Sequence, residues 1–286
     1  MSVPADEKFL KILGDDLGFE INNIQSLAGG SINNVYLLDT SEGKRVIKIN
    51  SAGKFPGMFP AEKKGLETLA GAEAFDVPKV YASGELEGTA YLLLEYKKEG
   101  AQKSHFWKVF GEQLSQLHQT SSEYFGFSSS NYIGSLPQYN EQRESAADFY
   151  VNQRLEPQVK MASERGFSLG DLSDFYRNIS EEIPDEPPAL LHGDLWSGNY
   201  LVNEEGLPCL IDPAVCFGQR EMDLGMMKLF GGFPSEVFEV YHHQFPLQPG
   251  WEERMPLWQL YYLLVHLNIF GSSYLPQVKR IISRFS

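Results

Sequence analysis

The sequence predicts an α+β fold of two lobes, a small antiparallel sheet lobe with one helix followed by a larger, mainly helical lobe. Short β-branched and apolar runs separated by Gly, Asn and Ser clusters fill the first part of the chain, whereas helical apolar stripes dominate the rest. The polar run KKEGAQKS at 97–104 marks the change. A chain of 286 residues is also near the size at which a single core stops growing and divides. We therefore expect lobes over residues 1–97 and 98–286.

From Asp6 to Leu17 the residues Phe9, Leu10, Ile12, Leu13 and Leu17 recur at helical spacing, which predicts a short amphipathic helix. Strands are expected around Ile24 to Leu27, Val35 to Leu38 and Arg45 to Ile49, where apolar runs end in turn-forming residues. Pro60 to Leu69 has helical character, with Leu66 and Leu69 on one side and mostly charged residues on the other. Val80 to Ser83 and Ala90 to Tyr96 complete the sheet across the GELEG turn. Beyond the boundary, helical stripes run over Phe106 to His118, Ala146 to Ala162 and Leu169 to Glu182. Four more helices are expected over Glu221 to Phe230, Pro234 to Gln244, Met255 to Phe270 and Leu275 to Phe285. The long segment between the first two stripes is rich in Gly, Ser and aromatics, a composition that suits an ordered or functional loop.

Composition narrows the function. Hydrophobic residues at 42% supply a core, and the net charge of −14 argues against a nucleic-acid partner, which clustered Lys and Arg would hold. Cys209 and Cys216 lie in or beside one apolar run, so buried free thiols are expected rather than a disulfide framework or a zinc site. No window approaches a membrane span and the amino terminus lacks a signal-like apolar run; a cytoplasmic protein is the expectation.

The segment LLHGDLWSGNYLVNEEGLPCLIDPA at 190–214 carries the chemistry. Asp194 lies on one loop, Asn199 follows five residues later, and Asp212 ends an apolar run thirteen residues beyond. Phosphoryl transfer to a hydroxyl wants a carboxylate to orient the nucleophile, and Mg2+ wants hard oxygen ligands. Asp194 suits the base, and Asn199 and Asp212 suit the metal. His192 is expected to be a satisfied core residue. Upstream, Lys48 shares one face of its strand with Val46, while Ile47 and Ile49 share the other. Glu62, at the start of the following helix, is either an ordinary helix-start glutamate favoured by the macrodipole or the carboxylate that fixes the Lys48 ammonium towards phosphates of ATP. Gly29, Gly30 and Ser31 join two strands, either as a plain hairpin or as amides laid over phosphates. Glu95, Tyr96 and Lys97 leave the last strand where adenine would meet main-chain groups.

These residues and their surroundings resemble the fructosamine kinase (ketosamine-3-kinase) family, within the group of aminoglycoside-phosphotransferase-like and protein-kinase-like folds. HGDLWSGN at 192–199 is similar to that family's catalytic loop, including its tryptophan, and the segment at 211–234 is similar to its metal-binding stretch. MFPAEKKGLETL at 58–69, FGFSSSNYIGSLPQYN at 125–140 and HLNIFG at 266–271 extend the likeness over nearly the whole chain. The resemblance implies an ATP- and Mg2+-dependent kinase that phosphorylates the third-carbon hydroxyl of free or protein-bound ketosamines, promoting deglycation. It implies Lys48 on ATP phosphates paired with Glu62, Asp194 as base, and Asn199 and Asp212 on Mg2+. Trp196 would pack on the sugar or on the aglycone; the alternative is simple packing of its loop. Arg220, Glu221 and Asp223 would either line the acceptor pocket or brace the loop, and His266 and Asn268 are weaker candidates for that pocket. Ser31 stands where some members carry cysteine, so no thiol control of that loop is implied. A monomer or weak dimer is expected. Rival readings are a kinase for an aminoglycoside, choline or another small alcohol, and a kinase-like binding protein without catalysis.

Overall fold

Helix α1 (Glu7–Leu17) leads into strands β1 (Ile21–Ser26), β2 (Asn34–Thr40) and β3 (Gly43–Ser51), followed by α2 (Met58–Gly71), β4 (Val80–Leu86) and β5 (Thr89–Glu95). The structure, a computed structural model, describes residues 7–27 and 32–286. Gly29, Gly30 and Ser31 lie outside the described residues. The strands form one antiparallel sheet in the order β1-β2-β3-β5-β4, so α2 and β4 are inserted between two neighbours. Alternation along β3 divides its side chains between two cores. Ile47 and Ile49 pack with Phe9 and Leu13 of α1, whereas Val46 lies beside the Met58, Phe59 and Leu66 cluster of α2. Lys48 shares the α2 face, and this register delivers its ammonium to Glu62.

The helical lobe begins with α3 (Phe106–Gln119). The segment expected as a long loop contains a hairpin, β6 (Asn131–Ile133) and β7 (Leu136–Gln138), turning at Gly134 with φ 57°. Two strands of three residues are too short to show a period, which is why the alternation rule passes over them. The helix expected over Ala146 to Ala162 is three pieces: α4 (Ala146–Phe149), a π-turn (Tyr150–Leu155) and α5 (Glu156–Glu164). Pro157 has no N–H to offer the Gln153 carbonyl, which instead accepts a hydrogen bond from Arg154 Nη1 at 3.0 Å. The wider turn buries Gln153, Arg154 and Leu155 together.

After α6 (Ser173–Glu182) come β8 (Ala189–Leu191), β9 (Tyr200–Val202), β10 (Pro208–Leu210) and β11 (Cys216–Gly218). β8 pairs with β11 and β9 with β10, both antiparallel, so segments 192–199 and 211–215 emerge side by side. Helices α7 (Glu221–Phe230), α8 (Ser235–Gln244), α9 (Trp251–Phe270) and α10 (Leu275–Phe285) close the lobe. Helix α9 starts one turn earlier than its apolar stripe suggested, from Gly250 at φ 80°. It is the lobe's central element, with Trp258, Tyr261, Tyr262, Leu263 and Leu264 buried. Both cysteines are buried and unpaired. Among the described residues no helix is long and apolar enough to cross a membrane.

Candidate active site

Lys48 is 5% exposed and donates to two carboxylates, Glu62 Oε1 at 2.5 Å and Asp212 Oδ1. Burial alone would lower the affinity of this amine for its proton, but the carboxylates of Asp212 and Glu62 outweigh it and hold Lys48 charged, above the ordinary lysine range. Burial pushes Glu62 the other way, above the usual carboxylate range, against the pull of Lys48. The three residues come from a strand, a helix and a loop of the other lobe, so one buried cation ties the lobes together across their cleft.

The loop from His192 to Asn199 is held from behind. Gly193 has φ 82°, and a Cβ there would collide with the Ala214 carbonyl, so only glycine fits. Asp223 accepts from the backbone N–H groups of His192 (2.8 Å) and Gly193 (2.9 Å), and its Oδ2 accepts from His118 Nε2 at 3.3 Å. His118 Nδ1 in turn meets the Tyr241 hydroxyl at 2.8 Å. The Tyr262 hydroxyl donates to the Gly193 carbonyl at 3.2 Å. His192 Nε2 donates to the Ile211 carbonyl while Nδ1 accepts from the Asp194 N–H, and burial lowers its pKa; it is a neutral core histidine that fastens the loop. From the other side, Asn131 donates to the Val215 carbonyl (2.8 Å) and Gln138 to the Ala214 carbonyl (3.0 Å). The hairpin thus braces the segment that follows Asp212.

Asp194 opens onto a cavity of about 830 Å³ between the lobes, lined also by Lys48, Glu62, Trp196, Asn199, Asp212 and His266. Burial raises the Asp194 carboxyl to about 7, against the Asn199 amide, which donates to its Oδ2 at 3.1 Å and favours the ionised form; Asp212 and Asp223 push the same way as burial. A carboxylate poised near neutrality is suited to proton transfer. Asn199 also donates to the Asp194 carbonyl at 2.8 Å, so its amide nitrogen is committed and its carbonyl oxygen is the group left for a ligand. Asp212 is a non-glycine residue at φ 55°, a costly backbone conformation often found at functional positions. One Asp212 oxygen receives Lys48, and Asp212 and Asn199 line the same cavity, so the second carboxylate oxygen and the Asn199 carbonyl oxygen are the hard-oxygen groups left there for a ligand. Such a set fits Mg2+, which takes few protein ligands and fills its remaining positions with water and phosphate oxygens.

Four of the expected acceptor-pocket groups lie elsewhere. Arg220 is 3% exposed and donates to Glu186 (2.6 and 3.0 Å) and to the Phe245 and Pro246 carbonyls. Glu221 is fully buried, accepting from Arg254 Nε and Nη2 and from Trp258 Nε1. Neither lines the cavity, and Asp223 braces the loop rather than facing an acceptor. Asn268 is buried against Gln158. The start of α7 is turned into the lobe, with Arg220 towards Glu186 and the end of α8, Glu221 towards α9 and Asp223 towards α3 and the loop, and charge is tolerated there only when fully paired. Glu95, Tyr96 and Lys97 lie where β5 ends, outside the cavity lining; Lys97 pairs with Asp76 (2.8 Å) and Glu95 (2.9 Å). The cavity also takes residues not expected from the sequence, among them Tyr132, Phe230 and Phe270. Phe230 and Phe270 each stand directly before a glycine that ends a helix, the one local signal that marked them.

A sequence model of the fructosamine kinase family matches residues 9–286. The chain belongs to the fructosamine kinase family. Within that family, a probable ketoamine kinase of Enterococcus faecium is 40% identical over 266 residues, covering 91% of this chain and 94% of the relative. A probable ketoamine kinase of Synechocystis is 37% identical over 269 residues, covering 93% and 91%. Among solved structures, a "putative fructosamine-3-kinase" of Haemophilus somnus superposes with a TM-score of 0.87 at 27% identity over 96% of both chains. The aminoglycoside phosphotransferase APH(4)-Ia, in its complex with AMP-PNP and hygromycin B, superposes at 0.65 with 18% identity, covering 96% of this chain and 97% of that one. That likeness shows that this fructosamine kinase family member shares the fold of that phosphotransferase.

Proposed function

We propose that this fructosamine kinase family member transfers the terminal phosphate of ATP to the third-carbon hydroxyl of a ketosamine. The observation that carries the reading is the convergence, in one cleft between a sheet lobe and a helical lobe, of Asp194 with the Lys48, Glu62 and Asp212 cluster. Family membership and the probable ketoamine kinases among its relatives support the acceptor class.

In this reading residues 1–97 and 98–286 are the nucleotide and acceptor lobes. Lys48 holds phosphate oxygens and is itself held by Glu62. The main chain at Glu95 to Lys97 receives the adenine, and Gly29, Gly30 and Ser31, outside the described residues, are assigned to the phosphates. Asn199 and Asp212 would hold Mg2+, which supplies charge neutralisation for the transferred group. Asp194 orients the acceptor hydroxyl and takes its proton as the oxygen attacks. The product carries phosphate on the third carbon. Enolisation towards the first carbon makes that phosphate allylic, so it is eliminated and the remaining adduct hydrolyses to free the amine. We place this activity in the cytoplasm, in a monomer or weak dimer.

The test is incubation with Mg-ATP and a panel of fructosamines, ribulosamines, aminoglycosides and choline, with products identified by mass. Gain of one phosphoryl group on ketosamines, lost by at least about a hundredfold in Asp194→Asn, is expected. Phosphorylation of aminoglycosides or choline alone would overturn the reading.

A further inference from the structure

The cavity brings charged and aromatic groups together. Its charged groups are Lys48, Glu62, Asp194 and Asp212 around the cleft, with Lys54 on the sheet-lobe side. On the helical-lobe side the lining includes exposed aromatic rings. Trp196, Phe230 and Phe270 are 40%, 42% and 59% exposed, three of the five large hydrophobic side chains most open to solvent among the described residues, and all three line this cavity. Their placement is built rather than incidental. The Trp196 ring lies against Gly198, where any Cβ would collide with the indole, so glycine keeps the ring flat on the loop. Helix α9 presents Tyr262, His266 and Phe270 at four-residue intervals on one face, and α7 presents Met226 and Phe230 likewise. The His266 ring centroid is 4.8 Å from that of Phe230 and 5.4 Å from that of Phe270, joining the two helices into one aromatic surface.

His266 adds one polar point. Its Nδ1 lies 2.7 Å from the Tyr262 carbonyl, which can only accept, so Nδ1 carries the proton and Nε2 is left as an acceptor. Burial lowers the pKa of this ring and keeps it in that neutral form.

Resting on the ketosamine reading above, we infer that the surface of Trp196, Phe230, His266 and Phe270 is the subsite for the amine side of the acceptor, and that it selects amines bearing aromatic or long alkyl substituents. With the reacting hydroxyl at Asp194, two carbons separate the reacting carbon from the nitrogen of a ketosamine, and its substituent extends away from the reacting carbon. A protonated secondary amine there meets aromatic faces and the His266 acceptor, and an apolar substituent covers rings that water otherwise wets. A short hydroxylated substituent keeps the amine's contact but leaves the rings uncovered.

The test compares two adducts of one sugar, on benzylamine and on ethanolamine, with saturating Mg-ATP. We expect a KM about tenfold lower for the benzylamine adduct, and in Phe270→Ala and Phe230→Ala a collapse of that ratio to within about twofold. Phe270→Trp, which keeps an aromatic face, should preserve the ratio. Equal KM values for the two adducts in the wild type, or a ratio unchanged in both alanine variants, would overturn the inference while leaving ketosamine phosphorylation standing. Failure to phosphorylate either adduct would overturn both.

Discussion

Replacing Asp194 by Asn should make the protein more stable as it removes its activity. The Asp194 carboxyl rises from an ordinary 3.8 to about 7, chiefly through burial. Between those values the folded chain holds a proton that the unfolded chain has released, so wild-type stability falls as pH rises through this window and levels off above it. Each tenfold change in proton affinity corresponds to about 1.4 kcal/mol, which sets a ceiling of about 4 kcal/mol above pH 7. Part of the side chain is open to the cavity, where water and ions screen it, so about 1–3 kcal/mol is the expected gain for the variant at pH 8. Asparagine keeps an oxygen to accept from Asn199 and carries no charge to desolvate. The assay is urea unfolding of both proteins without nucleotide or divalent metal at pH 5, 6, 7 and 8. The difference between variant and wild type should grow from pH 5 to pH 7 and then flatten. A difference independent of pH, or one that shrinks as pH rises, would refute the argument that a buried charge at Asp194 is the cause.

Lys48→Met should destabilise the protein by about 3 kcal/mol at pH 8 and by less at pH 5, because it leaves Glu62 and Asp212 without their cation until protons neutralise them; urea midpoints at the two pH values check this. Asp223→Asn replaces one of two oxygens that receive loop N–H groups by an amide donor, so it should cost about 2 kcal/mol and lower kcat with KM for ATP little moved, measured by steady-state kinetics on folded enzyme. Glu221→Gln breaks a fully buried pair with Arg254 and should cost about 3–5 kcal/mol. If Glu221 does not touch the acceptor, the KM for ketosamine of the surviving folded fraction stays near wild type; a large rise in KM with little loss of stability would return Glu221 to the pocket.

The elements that were legible are those with a long period or a strong stop. Helix α7 follows Glu221 to Phe230, where an unbroken apolar stripe ends at Gly231, and β3 follows the alternation of RVIKIN. The β6 and β7 hairpin and the π-turn after Phe149 were not legible. Three-residue strands carry no period, and the π-turn depends on a missing N–H at Pro157 together with burial of Arg154 against the Tyr139 and Asn140 oxygens. At the candidate site, the residue types needed for phosphoryl transfer were visible as Asp194, Asn199 and Asp212 in one segment. The direction each charged residue of α7 takes was not, since Arg220, Glu221 and Asp223 lie within one helical turn and differ only in what meets them.

Sequence by itself determined which chemistry this chain carries and in which kinds of element, because spacing along a strand, helix or loop is a local property that sterics and hydrogen bonding read directly. Tertiary structure decided which groups meet. Lys48 reaches Asp212 across 164 residues of chain, and its charge is tolerable in a buried cleft only because two carboxylates arrive from different elements. The same holds for Phe230 and Phe270, two helix ends that are unremarkable alone and become one aromatic wall when α7 packs on α9 with His266 between them. Local spacing cannot encode such meetings, since the burial of a charge or a ring depends on partners that only the folded chain brings near.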